Sequence, residues 1–327
     1  MGLFNFFSGK NRCLGIDVGT GGVKIVELEK EENKYKLINY GLTQAKPGEN
    51  WRLLDLNAGE VGLVIKKILK EMGTGNKKTV VSLPVALSFA TLVETKALPE
   101  SEMANAIAFE AKKYVPVPID DVIFDWAIVD QAVSLPQDQM IKPKNGPEEK
   151  RVLVLLVAVP KDVIAKYKEI AKNANLELLS LEIESFSLAR ALIANDPKAY
   201  VLLDLGTRGS NIIVVEKGLV RISFSVESPD RETLLTELER IVNLYKTKYN
   251  KNIERCILSG GSIYTPAGES LGLEEELAPL IKKRVGLEAS FGNPLSRIIY
   301  PEKLKDGLEV IAPSLATAIG LAIKGLS

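Results

Sequence analysis

Cys13-Leu14-Gly15-Ile16-Asp17-Val18-Gly19-Thr20-Gly21-Gly22-Val23-Lys24-Ile25-Val26-Glu27-Leu28-Glu29-Lys30 is the stretch on which the fold turns. An apolar run delivers one carboxylate, Asp17, into a turn with three glycines among four residues, and a second apolar run leaves it. Val23, Ile25 and Leu28 are expected on the buried side of that second strand. Glycine lets backbone N–H groups approach an anion closely, and converging N–H groups form an anion-binding nest. A carboxylate beside such a nest is useful chiefly when a divalent cation lies between the two. By itself Gly19 to Gly22 also reads as an ordinary flexible hairpin turn.

A second copy of the pattern favours the phosphate reading over two turn-capping aspartates. Tyr200 to Leu205 is an apolar run carrying Asp204 into Gly206-Thr207-Arg208-Gly209, and Ser210 to Val215 continues as a strand. With Asp17 set on Asp204, Gly19 meets Gly206, Thr20 meets Thr207, Gly22 meets Gly209, Ile25 meets Ile212 and Glu29 meets Glu216. Both copies read strand, Asp-x-Gly-Thr-x-Gly, strand. Two similar lobes whose glycine turns face each other would clamp a polyphosphate. Their two aspartates could hold a hydrated Mg²⁺, a cation that keeps several waters and needs few carboxylates.

Composition bounds the chemistry. At 327 residues the chain exceeds one typical core and should form two or more domains. Its 42 basic and 42 acidic side chains balance, so charge gives no argument for nucleic acid. Histidine is absent, which removes the usual general base and the commonest metal ligand. Cys13 and Cys256 lie in apolar runs and suggest neither a disulfide framework nor a zinc site. No run reaches the roughly 18 apolar residues of a membrane span. Leu3, Phe4, Phe6 and Phe7 make a greasy N-terminus too short for a signal sequence, and Phe6 stands where myristoylation wants Ser or Thr. That segment either packs on a partner or membrane surface, or frays.

Along the rest of the chain, helical spacing marks Asn57 to Met72, closed by Gly73-Thr74-Gly75-Asn76. Strands follow over Thr79 to Pro84 and Phe89 to Thr95. Ser101 is expected to cap a helix whose buried face is Met103, Ile107, Ala111 and Tyr114. Val122 to Ala132 and Val152 to Pro160 read as strands, then Lys161 to Ala174 as a helix and Leu176 to Leu181 as a strand. Glu182-Ile183-Glu184-Ser185 is expected to open a helix. Ser228-Pro229 is expected to cap and start the next, with Leu234, Leu238, Ile241 and Tyr245 on its inner face. Ile253 to Leu258 reads as a strand ending in Ser259-Gly260-Gly261-Ser262, and Ile311-Ala312-Pro313 as the lead-in to a final helix.

The paired loops, the Ser259-Gly260-Gly261-Ser262 turn and the small-residue final helix resemble the actin/Hsp70/FtsA superfamily of ATP-binding proteins. Within it the chain is most similar to the PilM family of type IV pilus assembly proteins. The opening stretch carries this resemblance, as do Phe109-Glu110-Ala111-Lys112-Lys113-Tyr114-Val115-Pro116, Leu153 to Pro160, Leu181 to Leu192 and Pro313 to Lys324. It implies an α/β actin-like ATPase fold: two duplicated RNase H-like lobes with an FtsA-type extra subdomain. The first lobe would comprise 12–89 and 161–199 with the 310–327 helix, the inserted subdomain 90–160, and the second lobe 200–309.

The resemblance also implies roles. ATP and Mg would be the cofactors, with Asp17, Gly19, Thr20, Gly21, Gly22 and Lys24 as the first phosphate loop. Asp204, Gly206, Thr207 and Gly209 would form the second, and Gly260 and Gly261 would lie beneath the adenosine. Asp17 and Asp204 would hold the metal through water. Glu182 and Glu184 are the only base candidates, and read equally as a charged helix start favoured by the helix dipole. The implied function is a cytoplasmic adaptor, peripheral to the inner membrane, that binds the N-terminal tail of a PilN-like membrane protein and is at most a slow ATPase. A nucleotide-free scaffold and a component of a related secretion or cell-division complex are the alternatives. A sugar-kinase-like phosphotransferase would need a carboxylate base facing a polar pocket, and no such constellation is visible. In one respect the chain departs from the pattern: after Val226 it passes directly into the helix before the serine–glycine–glycine turn, so the fourth subdomain is expected to be shortened.

Overall fold

The computed structural model describes residues 11–19, 21–43, 57–115, 118–130, 151–206, 209–227, 230–261 and 273–327. In chain order the first elements are β1 (Arg12–Gly19), β2 (Gly22–Glu31), β3 (Lys34–Leu42), α1 (Ala58–Met72) and β4 (Lys78–Leu83). Then come β5 (Phe89–Lys96), α2 (Glu100–Ala111), β6 (Val122–Asp130), β7 (Arg151–Pro160), α3 (Lys161–Asn173), β8 (Glu177–Ile183) and α4 (Glu184–Leu192). The last part holds β9 (Ala199–Leu205), β10 (Gly209–Glu216), β11 (Leu219–Glu227), α5 (Arg231–Tyr249), β12 (Cys256–Ser259), α6 (Leu273–Val285), β13 (Ala289–Phe291), β14 (Ile298–Ile299) and α7 (Lys305–Lys324). The chain divides into two units, Met1–Val85 with Lys166–Ser327, and Ala86–Ala165.

The larger unit holds two sheets built on one plan. In the first, β3, β2 and β1 pair antiparallel, and β4 and β8 continue from β1 in parallel. In the second, β11, β10 and β9 pair antiparallel, and β12 and β13 continue from β9 in parallel. The sequence repeat is therefore a repeat of topology. Each sheet ends its antiparallel part in a glycine turn and puts an aspartate on the strand beside it.

Local chemistry explains the principal helix. α1 opens with a capping box in which Asn57 accepts from the Glu60 N–H and Glu60 accepts from the Asn57 N–H. It closes on Gly73 in the left-handed conformation, φ 65°. Val61, Ile65 and Ile68 form its buried face. β2 departs from the one-sided expectation: Gly22 through Leu28 are all buried, because the sheet is covered on both faces. α7 is long and apolar enough to meet the compositional test for a membrane span, but it is mostly buried, packing on β1, β2, β4 and α4.

Four sequence expectations need correction. α2 begins at Glu100 after Pro99, with no side-chain cap, so Ser101 lies inside the helix. Tyr114 lies beyond the end of α2 and is exposed, its place in the core taken by Val115. Asp230 caps α5, accepting from the Thr233 N–H at 2.8 Å; Ser228 and Pro229 lie outside the described residues. α7 starts at Lys305 and runs through Pro313, because burial of Leu308, Ala312 and Leu315 holds the chain helical across the proline. Only residues 228–230 separate β11 from α5, so no helix intervenes there.

The smaller unit is a three-stranded antiparallel sheet, β5–β7–β6, with α2 packed on it. Met103, Ile107 and Ala111 of α2 meet Val93, Val122, Val154 and Leu156 of the strands, and Trp126 packs against the edge of this core.

Candidate functional site

The site is assembled at the turn ends of the two hairpins. Asp17 on β1 faces Lys24 on β2 in register, and its Oδ2 lies 3.4 Å from Lys24 Nζ. Both side chains are buried. Asp17 Oδ1 accepts from Ser82 Oγ at 3.0 Å, and Ser82 Oγ in turn accepts from the Val18 N–H at 3.1 Å. Ser82 sits near the end of β4, so three strands of the first sheet fix this one carboxylate.

The second lobe repeats the geometry with one change. Asp204 on β9 faces Asn211 on β10 at the same register position, and Asn211 Nδ2 donates to Asp204 Oδ2 at 3.3 Å. The amide of Asn211 thus stands where the first lobe has the ammonium of Lys24. Asn211 Nδ2 also donates to Glu184 Oε2 at 3.0 Å, bringing the first residue of α4 into the site.

Three carboxyl groups therefore share one cation. Burial pushes Glu184 well above the usual carboxylate range, with Asp17 and Asp204 adding repulsion and Lys24 and Asn211 opposing it. Burial and Asp17 push Asp204 up to about 6, against the pull of Lys24 and the Asn211 hydrogen bond. Tyr167 on α3 feels the same field: burial first, then Glu184 and Asp17, raise its hydroxyl, which has no hydrogen-bond partner.

Glycines line the space around the lysine. A Cβ on Gly19 would stand 3.2 Å from Lys24 Nζ, and one on Gly261 would stand 3.5 Å from it. Lys24 thus reaches from the first sheet to the glycine turn after β12. Gly260 adopts φ 117°, and a Cβ there would meet the Leu205 carbonyl oxygen at 2.3 Å, so only glycine fits. The turn is tied to α7, since the Gly260 N–H and Ser259 Oγ donate to the Pro313 carbonyl at 3.2 and 2.9 Å. In the second hairpin the Gly206 N–H donates to the Gly209 carbonyl at 3.0 Å.

The structure brings together Asp17, Gly19, Lys24, Glu184, Asp204 and Gly261 from the sequence-derived set, with Gly260 fixed beside them by its bonds to α7. Gly21 lies in the turn between β1 and β2, Gly22 opens β2, and Gly206 and Gly209 flank the second turn; Thr20 and Thr207 lie outside the described residues. Glu182 is not part of the site. It ends β8 rather than opening a helix, and both its oxygens accept from Arg190 at 2.6 Å, while Arg190 Nη1 also donates to the Gly320 carbonyl. It is a buried-edge ion pair, not a base. Ser82, Tyr167 and Asn211 were missed in the sequence. The alignment that equates Asp17 with Asp204 also equates Lys24 with Asn211, so that signal was present; Tyr167 carries none. Among the described residues no group of three or more acidic, cysteine or histidine side chains is arranged to hold a metal ion unaided.

Comparison with known proteins agrees with this architecture. The family model described as type IV pilus assembly protein PilM matches residues 15–228. The chain belongs to the PilM family. A solved PilM chain, from the structure titled PilM-PilN type IV pilus biogenesis complex, shares the fold with a TM-score of 0.76 at 20% identity, over 96% of this chain and 98% of that one. The ethanolamine utilization protein EutJ from Carboxydothermus hydrogenoformans is more distant, with a TM-score of 0.51 at 14% identity over 95% of this chain and 89% of that one. The fold is the actin-like ATPase fold.

Proposed function

We propose that this PilM-family chain binds ATP with Mg²⁺ between its two glycine turns and acts as an adaptor in type IV pilus assembly. The observation that carries the nucleotide reading is Lys24, held by Asp17 and bordered by two glycines, Gly19, where a Cβ would press on its ammonium at 3.2 Å, and Gly261, where one would touch it at 3.5 Å. A lysine so placed, with glycine on two sides, leaves room for phosphate oxygens. The donor set fits the metal as well: burial first, and then repulsion among three carboxyl groups that share one cation, make Glu184 and Asp204 resist ionisation.

Lys24 and the glycine-turn N–H groups would hold the phosphates, Asp17 and Asp204 would hold the metal through water, and Gly260 and Gly261 would border the adenosine. Mg²⁺ alone would supply positive charge to the carboxylates, while the triphosphate, which leaves the complex net negative, would be balanced by Lys24 and the glycine-turn N–H groups. Asn211 orients Asp204 and Glu184 toward one another, and Ser82 fixes Asp17. Burial, with Asp17 and Asp204 beside it, makes Glu184 hold its proton more tightly than an ordinary carboxylate, which disfavours it as a general base, so turnover is expected to be slow at most.

In the adaptor role the chain would work at the cytoplasmic face of the inner membrane and take the N-terminal tail of a PilN-like membrane protein. The matched solved chain belongs to a structure titled as a PilM-PilN complex, which supports that partner. The apolar residues Leu3, Phe4, Phe6 and Phe7, outside the described residues, would add a membrane or partner contact. Binding of a fluorescent PilN-like tail peptide to the folded full chain, with and without ATP·Mg, tests the adaptor reading. Saturable binding supports it, and no binding in either condition overturns it.

A further inference from the structure

A cavity of about 390 Å³ lies in the first lobe, away from the paired hairpin turns, lined by Arg12, Glu27, Ile38, Asn39 and the Gly73–Asn76 segment. Arg12 and Asp17 are five residues apart along one strand, or roughly 16 Å. Two of the lining groups are buried and unsatisfied. Glu27 is 2% exposed, and its Oε1 has no hydrogen-bond partner. Asn76 Nδ2 is likewise buried without an acceptor. The orientation of Asn76 is set by its other end, because Oδ1 accepts from the Lys78 N–H at 3.2 Å and leaves the NH₂ as the unpaired group.

The backbone is also irregular at these residues. The β2–β3 ladder shifts register between Glu27 and Leu28, so that Glu27 faces Asn39 while Leu28 faces Leu37, leaving Ile38 as the extra residue. Such bulges re-aim side chains and concentrate beside functional sites. Asn39 is fully engaged, donating to the Met72 carbonyl at 2.5 Å and accepting from the Tyr40 N–H at 2.9 Å, so it shapes the wall and pins the end of α1. Gly73 and Gly75 have nothing within 4 Å of where a Cβ would stand, so the segment beside the cavity is open on that side.

The polar groups have complementary demands. The Glu27 carboxylate only accepts, and the Asn76 amide and the Arg12 guanidinium only donate here. Arg12 is already neutralised by Glu29, its Nε 2.5 Å from Glu29 Oε2, so Glu27 leaves the wall one negative charge in excess. A buried donor or acceptor left unpaired is costly, and a ligand that satisfies both at once recovers that cost. We propose that this cavity binds a small zwitterionic amine of the amino-acid class, its ammonium on Glu27 and a carboxylate oxygen accepting from Asn76. The site is separate from the nucleotide site and does not depend on it.

Ligand-detected NMR on the folded full chain, with the free L-amino acids as probes at millimolar concentration, tests the proposal. At least one probe is expected to bind the parent. Its affinity should fall about tenfold or more in Glu27→Gln and in Asn76→Ala, and stay unchanged in Asp17→Ala. Asn76→Ala, in a connecting segment, serves if Glu27→Gln does not fold. Absence of binding by every probe, or binding indifferent to both cavity variants, would overturn it.

Discussion

Lys24 and Asn211 occupy the same place in two copies of one hairpin: each lies on the second strand, in register with the aspartate of the first. One copy kept a charge and the other a neutral amide. The two hairpins together with Glu184 of α4 therefore gather three carboxyl groups around a single ammonium, and the cluster is electrostatically unbalanced. This imbalance is the physical basis for assigning the carboxylates a metal cation, with the triphosphate left to Lys24 and the glycine-turn N–H groups, and it makes the protein sensitive to pH.

That sensitivity has a definite sign. Asp204 has a folded-state pKa near 6 against an ordinary 3.8, so the native state binds the proton more tightly than the unfolded chain does. Its contribution to stability is unfavourable above about pH 6 and disappears as pH falls toward 3.8. Asp204→Asn should therefore stabilise the nucleotide-free protein at pH 8, by on the order of 2 kcal/mol, and do little near pH 4. Urea denaturation of both proteins at the two pH values measures this. An equal effect at both would remove Asp204 from the unbalanced cluster.

Lys24→Met removes the one cation while keeping the stem volume. Breaking a buried pair leaves its partner uncompensated, and a loss of about 3 kcal/mol is expected at pH 8. Lower pH should restore part of it, because the carboxyl groups can then protonate. Thermal denaturation across pH checks both the loss and its recovery.

Glu182 and Glu184 are two residues apart in sequence and opposite in role. Arg190→Ala should destabilise the fold by about 2 to 3 kcal/mol by stranding Glu182, and leave the pH response of the hairpin site unchanged. Glu184→Gln should do the reverse, raising stability at pH 8. Denaturation curves of the two variants at pH 5 and pH 8 separate the roles.

The helices α4 and α7 cross where Gly320 meets Ser187. A Cβ on Gly320 would stand 2.0 Å from the Ser187 carbonyl oxygen, a contact backbone cannot relieve by rotating a side chain. Gly320→Ala should cost at least about 3 kcal/mol or prevent folding, measurable as lost soluble yield and a lowered denaturation midpoint.

The fold was legible from the sequence wherever a local rule had no competitor. Asp17 and Asp204, each delivered by an apolar run into a glycine turn, announced the duplication, and the helical spacing from Asn57 to Met72 announced α1. Where a local signal met tertiary packing, packing won: Pro313 looks like a helix start but lies inside α7, whose apolar face continues upstream through Leu308. Glu182 and Glu184 could not be told apart, because strand end and helix start differ there by one backbone step. Tyr167 was invisible because its place in the site depends on how α3 packs, and no spacing within α3 records that.

Calorimetric titration of the folded full chain with ATP·Mg, run beside Asp17→Ala and Asp204→Ala, is the most direct measurement of the central claim. The account predicts saturable heat and a raised denaturation midpoint in the parent, with both lost in each variant. Absence of heat and of any thermal shift in the folded parent would contradict it, leaving the actin-like frame as a scaffold without nucleotide.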